Sequence, residues 1–126
     1  MIGNAANFLL IILVSLISVL ANSLAKTGLK KIGIESLRPD YLLKNIFNIV
    51  FQPLILLAFF LLAVGALIWF RVLTQEPLSR GYPIFVGFTL VFLVLSSYFF
   101  LGEPLTAARI LGMVLILAGT FTVFLI

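Results

Sequence analysis

Apolar residues run in four long stretches separated by polar breaks, and that pattern sets the architecture. A helix needs roughly 20 mostly apolar residues to cross about 30 Å of hydrocarbon. Four segments reach or approach that length: about Asn7 to Ala25, Pro53 to Phe70, Leu78 to Leu101 and Ala107 to Ile126. An unpaired backbone polar group in lipid costs several kcal/mol, so each segment is expected to be helical. The predicted fold class is an all-α integral membrane protein, one four-helix domain over residues 1–126.

The breaks differ in length. Thr74-Gln75-Glu76-Pro77 and Gly102-Glu103-Pro104 are tight, and each sets a proline where a new helix can begin. The first break is long and starts at Lys26, the residue expected to stop the first span. It continues through Lys30 and Lys31, breaks at Arg38-Pro39-Asp40, and turns apolar again from Tyr41 to Phe51. Interrupted by Lys44, Asn45 and Asn48, that last stretch fits an interfacial helix. It equally fits an extension of the second span kinked at Pro53, and the pattern alone leaves both open.

Composition strengthens the membrane assignment. Hydrophobic residues make up 63% of the chain and charged residues 10%, with a mean hydropathy of +1.33. Soluble domains carry about 25% charged residues. The absence of cysteine and histidine excludes disulfides and the usual zinc or haem ligands, so no cofactor is expected. No basic region precedes the first apolar run and no A-x-A pattern follows it, which predicts a retained helix rather than a cleaved signal.

Charge bears on topology. Lys26, Lys30, Lys31, Arg38 and Lys44 lie in the first connection and Arg109 follows the third, six basic residues against Arg71 and Arg80 around the second. The bias predicts cytoplasmic first and third connections. Because these residues flank apolar spans, a nucleic-acid partner has no support. All four acids, Glu35, Asp40, Glu76 and Glu103, fall in loops or at span edges.

Candidate site residues are the polar positions that remain. Ser15, Ser18, Asn22 and Lys26 share one face of the first helix. They suit either helix packing or a groove for a polar headgroup. Trp69 and Arg71 end the second span, where interfacial anchoring competes with a phosphate site. Pro83 interrupts the hydrogen bonding of the third span, and the adjacent Tyr82 faces a cavity or the interface. Glu103 either joins the site or caps the last helix, whose N-terminus favours negative charge. Gly112, Leu115 and Gly119 share a face of the last helix suited to close helix contact.

The run Trp69 to Pro83 (WFRVLTQEPLSRGYP), Gly102-Glu103-Pro104-Leu105 and the glycine-bearing last helix resemble the drug/metabolite transporter superfamily. Within it the chain is most similar to the small-multidrug-resistance-like (EamA-like) four-span proteins that flip aminoarabinose-phosphoundecaprenol across the bacterial inner membrane. Trp69, Val72, Leu73, Pro77, Tyr82, Pro83, Glu103 and Pro104 carry the match, with Asn22-Ser23-Leu24-Ala25-Lys26 ending the first span.

The resemblance implies a multi-pass inner-membrane flippase or transporter subunit for a lipid-linked, polyprenyl-phosphate substrate. It also implies dimerisation through Gly112 to Gly119, with a second copy or a related four-span subunit. The chain departs from the small multidrug exporters, which carry a glutamate in the first span; here Ser18 and its neighbours supply none. That disfavours proton-coupled cation export and leaves a differently coupled drug or solute exporter as the alternative. A membrane scaffold is a third reading. An enzyme is not expected, since no nucleophile–base pair, metal cluster or phosphate loop is present.

Overall fold

The computed structural model describes residues 5–33 and 39–125. Five helices follow one another: α1 (Ala5–Ile32), α2 (Pro39–Val50), α3 (Pro53–Leu73), α4 (Leu78–Phe99) and α5 (Ala107–Leu125). All but α2 are long and apolar enough to span a membrane, which makes this a multi-pass membrane protein.

α1 does not stop at Lys26. It continues for almost two turns to Ile32 and ends at Gly33, whose φ of +80° turns the chain out of the helix. Lysine is a good helix former, so a charge can mark a span's edge without ending the helix. Arg38 and Glu35 lie outside the described residues.

α2 is a separate helix and not the start of α3. Gln52 is extended (φ −66°, ψ 126°), as the residue before a proline prefers. Its side-chain oxygen accepts from the backbone N–H groups of Leu54 and Ile55, and Pro53 opens α3. Leu43, Ile46, Phe47 and Val50 line an exposed apolar stripe on α2, opposite Lys44 and Asn48.

α1 is the hub. It packs against α3 and α4 and touches α2, while α5 packs on α4. Glycines permit the closest approaches: a Cβ at Gly28 would lie 2.9 Å from Ile55, and one at Gly87 would lie 2.7 Å from Thr120. A small core of Ile11, Val72 and Ile84 is surrounded by Phe8, Trp69, Phe85, Phe88 and Phe124. Pro83 leaves α4 unbroken, and its carbonyl accepts a bond from Thr120 Oγ1 of α5 at 3.3 Å.

The turn after α4 is longer than Gly102-Glu103-Pro104 suggests. Gly102 takes a φ of +66°, and the next helix begins at Ala107, where the fourth apolar segment starts, three residues after Pro104. Thr106 Oγ1 accepts from the Arg109 N–H, so threonine occupies the capping position that Glu103 was a candidate for.

Candidate functional site

The polar stripe of α1 divides into three parts. Ser15 is fully buried, with Oγ 2.8 Å from the Ile11 carbonyl and 3.3 Å from the Phe85 carbonyl of α4. Its role is helix packing. Ser18 lines a cavity of about 190 Å³ with Val14, Leu62, Gly65, Trp69 and Phe85, between α1, α3 and α4. Asn22 and Lys26 belong to another cavity nearer the α1–α2 end.

That second cavity measures about 340 Å³ and is lined by Asn22, Ser23, Lys26, Leu93, Ser97, Leu101 and Glu103. α1 contributes its residues at successive turns, and α4 and the turn after it supply the opposite wall. The Lys26 ammonium bonds the Glu103 carboxylate across the opening. Ser23 and Ser96 hydroxyls meet at 2.7 Å and tie the same two helices. Asn22 donates back to the Ser18 carbonyl at 2.8 Å, leaving its amide oxygen for the cavity. Lys26 and Glu103 are 47% and 31% exposed, so the pair is accessible and contributes at most about 1 kcal/mol in water. An accessible ammonium beside hydroxyls and an amide can bind an anion such as a phosphate, provided the anion displaces Glu103.

Trp69 sits on the other cavity. Its ring centroid is 5.0 Å from Phe85 and 6.1 Å from Tyr82, which meets it edge-on. Tyr82 is half-exposed and packs on this aromatic cluster without lining either polar cavity. Arg71 is exposed on the far side of α3's last turn and is not brought to Ser18 or Lys26. Of the candidate residues, the structure thus joins Asn22, Lys26 and Glu103 in one place and Ser18 with Trp69 in another.

Pattern reading missed two features. Ser23 and Ser97 complete the polar cavity; the Ser96-Ser97 pair inside an apolar run was the available signal. Asn7 and Glu76 form a buried pair at the opposite end of α1, with Asn7 Nδ2 donating to Glu76 Oε1 at 3.3 Å. Glu76 lies in a turn, as its position predicts, yet it is buried.

Gly112, Leu115 and Gly119 lie on α5, which has no buried residue. A Cβ at either glycine would meet nothing within 4 Å. Among the described residues, no group of three His, Cys, Asp or Glu could hold a metal ion.

Fold and site define a small multi-pass membrane protein with a polar, cation-bearing cavity at one end of its helices. Comparison with known proteins narrows this. A 58-residue stretch, 46% of the chain, is 38% identical to a Hamiltonella defensa protein named "Probable 4-amino-4-deoxy-L-arabinose-phosphoundecaprenol flippase subunit ArnE". It is 40% identical to the Yersinia pestis and Yersinia pseudotuberculosis proteins of the same name. The match spans about half the length of these relatives, 51% of the first and 50% of the other two. No family model matches the chain, and no solved structure matches it.

Proposed function

We propose that the chain is a subunit of an inner-membrane flippase for a lipid carrying an anionic, polyprenyl-phosphate-type headgroup. The observation that carries this reading is the cavity in which Lys26 faces Glu103 beside Asn22, Ser23 and Ser97. A phosphate competing for Lys26 opens the ion pair and enters between α1 and α4, while the hydrocarbon chain stays in lipid. The names of the relatives support the substrate class.

The excess of basic residues around the α1–α2 connection supports a cytoplasmic opening for this cavity. The cations there also concentrate anionic lipid by about 1 kcal/mol per charge. The ring Gly112, Leu115 and Gly119 on the uncovered face of α5 supports pairing with a second four-span subunit, identical or related. Four helices leave each cavity shallow, and a partner would supply the missing wall.

Reconstitution tests the reading. Proteoliposomes holding the chain, alone and with a related four-span partner, are expected to translocate a polyprenyl-phosphate sugar faster than empty liposomes. Transfer no faster than in empty liposomes in both preparations would refute it. Proton-driven export of soluble cations that is lost in Glu103→Gln would favour the exporter reading instead.

A further inference from the structure

The end of the bundle remote from Lys26 holds a cation that the proposed transport does not use. Arg80 lies in the first turn of α4 and is half-buried. Its Nη2 donates to the Phe124 carbonyl at 3.1 Å, and its Cζ stands 6.0 Å from the centroid of the Phe124 ring. That bond caps the last turn of α5, where backbone carbonyls lack helical partners. Capping does not account for Nε, which is buried with no hydrogen-bond partner. Arg80 makes no ion pair among the described residues, and Glu76, four residues earlier, accepts from Asn7.

An apolar groove of about 350 Å³ runs between α4, α5 and the start of α1, and Phe124, the ring that Arg80 stands over, is part of its wall. Phe8, Phe88, Val91, Leu117, Phe121 and Phe124 form most of its wall. Arg80, Ile84, Gly87 and Val91 follow one another along one face of α4. The α4 wall of the groove begins at Ile84, one turn beyond Arg80, and Val91 lies about 16 Å along the helix from the cation. A guanidinium with no counter-charge among the described residues is costly at the edge of a bilayer, and the cost falls when an anion meets its exposed part.

We propose that this groove seats an anionic lipid, its phosphate on Arg80 and one hydrocarbon chain along Phe88, Val91 and Leu117. Charge complementarity selects the occupant: a neutral lipid leaves the guanidinium unmatched, and an apolar helix covering the groove brings no anion. The site lies at the opposite end of the bundle from Lys26 and does not depend on the flippase reading, so either can fail alone.

Photo-crosslinking reads the occupant directly. A benzophenone amino acid replaces Leu117, which is partly exposed at the groove, in nanodiscs of phosphatidylcholine with a minor fraction of phosphatidylglycerol. Phosphatidylglycerol adducts are expected about fivefold above that lipid's share of the bilayer, as one favourable cation–headgroup contact implies. In Arg80→Gln the ratio should fall to the bilayer share, and Arg80→Lys should keep part of it. Should Arg80→Gln not fold, Val91→Trp fills the trough, leaves the cation in place and is expected to abolish the enrichment. Adducts in bulk proportion, enrichment surviving Arg80→Gln or Val91→Trp, or adducts to a second copy of the chain would each overturn the proposal. Loss of yield on adding excess inorganic phosphate would assign the site to a soluble anion and overturn it too.

Discussion

The two ends of α1 are built on opposite terms. About 28 Å apart along the helix, close to the thickness of the hydrocarbon layer, stand Asn7 and Lys26, and each bonds a glutamate from an inter-helix turn. Asn7 and Glu76 are buried, and Gly81 stands close to both Glu76 and Trp69 of the aromatic cluster. Lys26 and Glu103 are accessible and border a polar cavity. Burial makes the first contact expensive to break and exposure makes the second cheap. A helix closed at one end and loosely latched at the other is suited to admit a ligand at the latch.

The sharpest way to break this contrast is at the aromatic cluster. Truncating a core tryptophan costs about 3–5 kcal/mol in soluble proteins. In lipid the transfer part largely vanishes and packing remains, so Trp69→Ala should cost about 2 kcal/mol. A clear drop in the midpoint of thermal unfolding in detergent would show it, and Trp69→Phe should recover much of the loss. Next in size is Glu76→Ala. It strands the buried Asn7 amide and should cost about 1–3 kcal/mol. Glu76→Gln, which keeps an acceptor, should cost less; equal losses in the two variants would mean the hydrogen bond is not what holds this end.

The latch should respond in the opposite sense. Lys26→Ala is expected to lower stability by less than about 1 kcal/mol, near the noise of a melting curve. The same variant should reduce translocation of a polyprenyl-phosphate sugar at least about tenfold, the factor that corresponds to 1.4 kcal/mol. A large stability loss here with transport intact would reverse the assignment of the two ends.

The spans were legible because lipid admits few backbone solutions, so apolar length alone nearly determines them. The end of α1 was not, because Lys26 marks a solvation change while the helix needs a glycine, Gly33, to stop. Helical spacing put Ser15, Ser18, Asn22 and Lys26 on one face, yet α1 crosses two neighbours, so one stripe serves three environments. Glu103 shows the same limit: its local setting allowed a helix cap, and a residue 77 positions away in sequence claims its carboxylate. Glu76 is a turn residue that is nonetheless buried and bonded to Asn7, 69 positions away in sequence, a contact no local pattern encodes.

The account turns on whether a phosphate headgroup occupies the Lys26 cavity, and the chain's lack of cysteine makes that measurable. A single Asn22→Cys variant is labelled with a membrane-impermeant thiol reagent, with and without a polyprenyl phosphate. The predicted result is labelling slowed by the lipid, with the protection abolished when Lys26→Ala is added. Labelling unaffected by the lipid, or protection that persists without Lys26, would contradict the account.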